Sequence, residues 1–310
     1  MSTFTDSVEP NAFTIQNQPD YIFLCGGPLT DLKHSLRAHF FEEKAKKDPT
    51  LLKRIQLAEN ADLWYQSRKL FDDLLELEQY LAGLSACILL FVESPGAIAE
   101  FGAFSQMALL QDKLVVVIED SYSGQQSFIN HGLVAHLKQI RPDSVLSYPW
   151  LSFAGSDRGE IDLVTAKDTL DEVETTLRSL LAKKPKKTLF QSGDHGHLML
   201  LIADLVILNV VILQHEIQTL LTDLGLQVMP QDLKKYLFLL EQLQLITPFR
   251  YGNVDYYINS TGSPEYVSYA SKNPTDRLRL RALLRQDLPL TPEKSKALKA
   301  FTKRPTGGVR

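Results

Sequence analysis

The chain has 310 residues, 44% of them hydrophobic, enough for two ordinary domains with a core each. Its net charge of −4 hides an asymmetry: residues 1–182 carry 15 Lys/Arg against 26 Asp/Glu, and residues 183–310 carry 18 against 11. An acidic front and a basic back point to separate duties, the back either facing a polyanion or serving solubility. Cys25 and Cys87 sit in apolar runs, which excludes a disulfide framework. The start, MSTFTDSVEPN, has no apolar core and reads as no secretory signal. The most apolar run, 198–213, falls short of the roughly 20 residues of a membrane span and contains Asp204 and Asn209. A cytoplasmic protein that does not enter a membrane is expected.

Residues 1–19 read as a flexible leader. The run 21–25 predicts a first strand, broken by Gly26-Gly27-Pro28, and a helix follows over about 31–47. Residues 62–65 suit a short second strand. Over 70–84, Leu70, Phe71, Leu74, Leu77 and Leu81 recur at helical spacing. The apolar run 86–92 predicts a buried parallel strand. A small-residue loop, Ser94-Pro95-Gly96-Ala97, then leads into a helix carrying Glu100 in its first turn. Residues 114–118 make another buried strand. Fully apolar strands alternating with helices indicate an α/β domain over 20–185, a doubly wound parallel sheet. Right-handed crossovers set Gly26-Gly27 and Ser94-Pro95-Gly96 at the carboxyl ends of neighbouring strands.

A charged helix over 166–181 leads into the linker Lys183-Lys184-Pro185-Lys186-Lys187. Residues 198–224 predict one or two buried helices ending at Gly225, and a further helix opens at Pro230 and runs to about Leu245. The stretches 247–250 and 255–259 flank Tyr251-Gly252-Asn253 as a hairpin. Helix, helix, hairpin is the order of a winged helix, over 186–270. Residues 271–310 read as a basic C-terminal tail. No internal repeat is visible.

Cleaving an N-glycosidic bond builds positive charge on the sugar as the base departs. A carboxylate below the anomeric carbon stabilises that charge or bonds to it. Glu100 suits this chemistry because small residues before it admit a sugar and helix N-terminal amides favour its charge. Glu78 and Glu93 are candidates for the second acid. Gly26 and Gly27 permit close approach of phosphate or sugar. Arg37 on the next helix either reaches a phosphate or lies exposed. His195 and His197 have i, i+2 spacing but no further ligands nearby, so no metal site is expected. In the basic half, Lys234, Lys235, Arg250, Arg277, Arg279 and Arg281 are the candidate phosphate contacts. The alternative is that this half makes protein contacts only.

The order Ser94-Pro95-Gly96-Ala97-Ile98-Ala99-Glu100-Phe101-Gly102 resembles the nucleophile segment of the nucleoside 2-deoxyribosyltransferase superfamily. More narrowly, the chain is similar to the nucleoside deoxyribosyltransferase-like effectors of bacterial retrons, over 21–132 and more thinly beyond. The marks are Phe23-Leu24-Cys25-Gly26-Gly27, Ser35-Leu36-Arg37 and Leu70-Phe71-Asp72-Asp73-Leu74-Leu75. Leu77-Glu78, Phe91-Val92-Glu93-Ser94-Pro95-Gly96, Glu100-Phe101-Gly102-Ala103-Phe104-Ser105, Ser127-Phe128-Ile129-Asn130 and Asp276-Arg277-Leu278-Arg279-Leu280 complete the set.

The resemblance implies a flavodoxin-like, deoxyribosyltransferase-like sheet followed by a winged helix. It implies Glu100 as nucleophile and Glu78 as assisting acid, with Gly26, Gly27, Ser94, Gly96 and Asn130 lining the substrate site. The implied activity is a toxin's N-glycosidase reaction on NAD or a related nucleotide, as substrate and with no separate cofactor. The implied partners are a retron reverse transcriptase and its branched RNA–DNA product, msDNA, which hold the protein inactive in a higher-order assembly until phage infection. The base-exchange enzymes carry Asp-Ser-Gly-Thr where this chain has Glu93-Ser94-Pro95-Gly96-Ala97, which favours hydrolysis. A non-catalytic nucleotide sensor and a housekeeping deoxyribosyltransferase remain the competing readings.

Overall fold

The computed structural model describes residues 3–57, 66–153, 159–259, 262–273 and 275–303, so the expected strand at 62–65 lies outside the described residues. The chain forms two units. One holds residues 19–66 and 73–184, the other residues 1–18, 67–72 and 185–310.

In the first unit, β1 (Ile22–Cys25), β2 (Ile55–Gln56), β3 (Cys87–Phe91), β4 (Leu114–Glu119) and β5 (Val145–Tyr148) form an all-parallel sheet in the order β2-β1-β3-β4-β5. The strands β1, β3 and β4 are buried along their whole length. This is what apolar residues on both strand faces require. Ile22, Leu24, Leu89, Phe91, Val115 and Val117 pack in one cluster with α1 (Leu36–Phe40) and the long helix over 163–183. Phe23 points to the other face, where its ring meets Phe104 at 6.3 Å. Strand order reverses between β1 and β3. The carboxyl ends at such a switch point are where open α/β sheets bind ligands.

Helix starts differ from the sequence expectation where a cap decides. The helix expected over 31–47 starts at Leu36, because the Ser35 hydroxyl accepts from the Ala38 N–H (3.0 Å), and it ends in a π-helical stretch, Phe41–Ala45. Next comes α2 (Leu74–Leu84), which begins after Asp73, whose carboxylate accepts from the Glu76 N–H at 2.8 Å. In α3 (Pro95–Ser105), the small-residue segment is helix rather than loop: Ser94 caps it, accepting from the Ala97 N–H at 3.1 Å, and Pro95 takes the first helical position. Proline fits there because its missing N–H would be unpaired anyway. Glu100 therefore lies in the second turn, not the first.

In the second unit the leader reading is overturned. Thr14–Gln16 pairs antiparallel with both Lys187–Leu189 and Val267–Ser268, and Phe4 and Phe13 are fully buried. The Asp287 carboxylate accepts from the backbone N–H groups of Thr3 (2.9 Å) and Phe4 (2.8 Å). The helix His195–Asn209 is buried on nearly every side and stops where Val210 takes φ +72°, a conformation β-branched residues rarely adopt. Val211–Leu213, Val254–Asn259 and Ile246–Tyr251 form a three-stranded antiparallel sheet, with helices Gln214–Asp223 and Pro230–Gln242 between its first two segments. The basic tail is likewise corrected: residues Arg277–Asp287 and Pro292–Thr302 are helices, and the buried Lys294 ammonium meets Glu216 at 2.6 Å. Among the described residues no helix is long and apolar enough to cross a membrane.

Burial, then the nearby Asp255, pushes the Glu241 carboxyl up from 4.5 to about 7, although the Tyr257 hydroxyl hydrogen-bonds it. The native protein keeps this proton where the unfolded chain has lost it, so stability should fall as pH rises from about 5 to 8. Urea midpoints across that range should show the decline for the wild-type protein and a shallower one for Glu241→Gln.

Candidate active site

Gly26 ends β1 with φ +144°, and a Cβ there would stand 2.9 Å from both the Cβ and the carbonyl oxygen of Phe91. Only glycine fits. This brings the chain beyond β1 against the end of β3, where the Glu93 carboxylate collects four donors. They are the Gly27 N–H (3.1 Å), the Ser35 hydroxyl (2.6 Å), and the N–H groups of Leu36 (2.7 Å) and Arg37 (3.2 Å). Burial pushes the Glu93 carboxyl up while these bonds pull it down, and burial dominates. Glu93 thus clamps the glycine turn to the N-terminus of α1, and that engagement replaces the expected free acid.

Arg37 is 1% exposed. Its Nη1 donates to the Gly27 carbonyl (2.9 Å) and its Nη2 to the Leu24 carbonyl (2.7 Å). The exposed-arginine alternative is therefore excluded.

A cavity of about 100 Å³ opens at the switch point, lined by Cys25, Gly26, Arg37, Leu74, Glu78 and Glu100, with Leu24. Leu74 and Glu78 stand one turn apart on one face of α2, and Glu78 is 5% exposed. Two carboxyl side chains from different helices thus share one small space with a permanently charged guanidinium. Because Glu100 lies in the second turn, the helix end is too far to hold its charge; Arg37 is the cation lining its cavity.

A second, larger cavity of about 330 Å³ takes the other candidates: Glu93, Ser94 and Asn130 line it, with Glu119 and Trp150. Asn130 donates its amide to the carbonyls of Tyr122 (2.7 Å) and Gln125 (2.8 Å). Gly27 and Gly96 line neither cavity, and Gly96 has no atom nearer than 3.9 Å to an added Cβ. The expected substrate set is divided, with the acid pair in the smaller space. Glu119 was missed, though its place at the end of an apolar strand mirrors that of Glu93.

Residues 33–248 match the family model described as STM3845 retron effector protein. The chain belongs to this retron effector family. It is 34% identical over 134 residues to an Escherichia coli protein named as the proposed ribosyltransferase/DNA-binding protein of retron Ec86, a match covering 40% of this chain and 39% of that protein. A protein similarly named for retron Ec73 of the same organism is 27% identical over 188 residues, covering 59% of this chain and 57% of the relative. The matches thus span less than two thirds of either relative's length.

In this retron effector the basic candidates divide by burial. Lys234, Arg250 and Arg279 are exposed. Lys235 is 5% exposed, its ammonium 3.8 Å from Asp232 and 5.8 Å above the Phe71 ring, so it is no phosphate contact. Arg277 pairs at 3.0 Å with Asp204, a fully buried carboxylate that also accepts from the Tyr266 N–H at 2.7 Å. Arg281 is half-buried and reaches the Ile207 carbonyl at 3.4 Å. His195 hydrogen-bonds the Tyr236 hydroxyl (2.8 Å), and His197 accepts from the Gln191 N–H (3.1 Å).

Gly26→Ala should destabilise the protein by about 2 kcal/mol or more, whereas Gly96→Ala inside the helix should gain up to about 1 kcal/mol, both read by urea unfolding. Arg277→Ala strands a buried carboxylate and should cost about 3–5 kcal/mol. Arg279→Ala should stay within about 0.5 kcal/mol of wild type in the same assay.

Proposed function

We propose that this retron effector is an N-glycosidase that hydrolyses NAD or a related nucleotide, with Glu100 as nucleophile and Glu78 as assisting acid. The observation that carries the reading is the meeting of Glu78, Glu100, Gly26 and Arg37 in one cavity at the sheet's switch point. In the proposed reaction the Glu100 carboxylate bonds to the anomeric carbon as the base leaves with its bonding electrons. Glu78 donates a proton to the base or orients the sugar hydroxyls, and water then releases the sugar from Glu100. A space of about 100 Å³ suits a sugar rather than a whole nucleotide, since whole-ligand sites span roughly 300–1,000 Å³. Base and phosphate would therefore lie outside it. Hydrolysis is favoured over base exchange because Pro95 and Ala97 stand where the exchange enzymes carry other residues.

The second unit, read as a winged helix, serves nucleic-acid binding in this proposal, consistent with the words DNA-binding in the relatives' names. Lys234, Arg250 and Arg279 are the exposed contacts to phosphates. A retron reverse transcriptase with its msDNA is the proposed restraining partner, in a higher-order assembly in the cytoplasm. Charge-reversal of the three should flatten the salt dependence of binding by about one unit of slope per contact.

Purified protein incubated with NAD or AMP should release free base, followed by chromatography. Glu100→Gln, nearly isosteric, should reduce release to the uncatalysed level, and Glu78→Gln should slow it by roughly a hundredfold or more. Normal turnover by Glu100→Gln removes Glu100 as nucleophile. Toxicity retained in that variant without turnover favours the sensor, and new nucleosides formed from added bases favour exchange.

A further inference from the structure

The segment Ser67–Asp72 belongs to the second unit, although the residues on either side of it, Gln66 and Asp73, belong to the first. Phe71 anchors it there. Phe71 is 3% exposed, its ring 6.3 Å from that of Phe238 and its centre 5.8 Å from the Lys235 ammonium. A buried aromatic ring under a cation holds a short segment firmly. The Ser67 carbonyl accepts from the N–H groups of Leu70 (2.7 Å) and Phe71 (3.0 Å), which keeps the segment a compact turn. Lys235 and Phe238 lie on the helix Pro230–Gln242, which also carries the exposed Lys234.

Directly after this segment, Asp73 caps α2, the helix that carries Glu78. The first turn of α2 buries little of its own. Leu74 and Leu75 are 42% and 41% exposed, and burial begins at Leu77. A helix end with few apolar contacts shifts readily unless the chain before it is held. Glu78 lies about 6 Å along α2 from Leu74, at 1.5 Å per helical residue. Leu74 and Glu78 line the same small cavity, so movement of that first turn reaches the cavity wall directly.

We propose that Phe71 is a positioning residue for Glu78. By anchoring residues 67–72 in the second unit, it sets where α2 begins, and so where Leu74 and Glu78 stand in the cavity. Its effect on turnover rests on the proposed role of Glu78 in glycosidic cleavage. To that role it adds control of the acid by the helix Pro230–Gln242, which belongs to the other unit. Phe71 touches no reacting atom and acts through the chain. A ring that only filled the core of the second unit would change stability without singling out Glu78.

Two full-length variants separate such a tether from simple packing. Phe71→Ala removes the anchor. Insertion of Gly-Gly between Asp72 and Asp73 keeps both the anchor and the helix cap but slackens the link between them. In hydrogen exchange read by mass spectrometry, both variants should speed exchange of peptides spanning 74–84 by about tenfold. Peptides from the helix over 163–183, in the same unit, should stay within about twofold of wild type. In either variant kcat for base release from NAD should fall about tenfold, but less than about twofold when the change is made in Glu78→Gln. Phe71→Leu, still apolar, should recover most of the loss. Exchange needs no turnover, so it decides the tether even where the wild type releases no base, a result that sinks the glycosidase reading alone. Wild-type exchange over 74–84 in the insertion variant overturns the inference, as does equal slowing of release by Phe71→Ala with and without Glu78.

Discussion

Four hydrogen bonds converge on the Glu93 carboxylate from the Gly27 turn, the Ser35 cap and the first residues of α1. These are the two chain segments that follow β1 and β3, the strands between which sheet order reverses. Without that clamp the glycine turn would have no fixed distance from α3, and the Glu78–Glu100 cavity would have no fixed wall. A buried carboxyl is costly unless its oxygens are satisfied, and here backbone amides do most of that. One of those donors, the Gly27 N–H, directly follows Gly26, whose φ no other residue adopts cheaply. Clamp and turn are therefore mutually dependent.

The helix α3 divides the space beyond the sheet. Its core-facing residues Ala97, Phe101 and Phe104 are fully buried, leaving Glu100 on one flank and Ile98 on the other. A helix repeats every 3.6 residues, so neighbouring positions in sequence serve different cavities. That explains why candidates close together in the chain, Ser94 and Glu100, line separate spaces.

The second unit uses its charge differently from what composition suggests. Arg277, Lys235 and Lys294 are structural cations, each near an acid of the same unit. Counting Lys and Arg along the chain cannot separate these from exposed ones, because two of the three pair with residues far away: Asp204 is 73 positions from Arg277 and Glu216 is 78 from Lys294. Likewise residues 1–19 read as a flexible leader, yet Thr14–Gln16 pairs with a strand more than 170 residues further on, and Phe4, Phe13 and Ile15 are buried.

Sequence alone determined the three central strands of the parallel sheet and the Glu100 helix, since uninterrupted apolar runs and glycine breaks are local consequences of burial and backbone sterics. The edge strands Ile55–Gln56 and Val145–Tyr148, short or only half-buried, carried no such signal. Sequence also identified the hairpin, read as 247–250 and 255–259, and named Glu78 and Glu93 as alternatives beside Glu100; the structure puts Glu78 and Glu100 on one cavity. Only the tertiary structure decided where the charges went. It buried Arg37 against two carbonyls, engaged Glu93 fully, and moved Glu100 into the second turn by drawing Pro95 into the helix. Each of these turns on donors and acceptors that meet through folding, and no periodicity in the chain encodes such meetings.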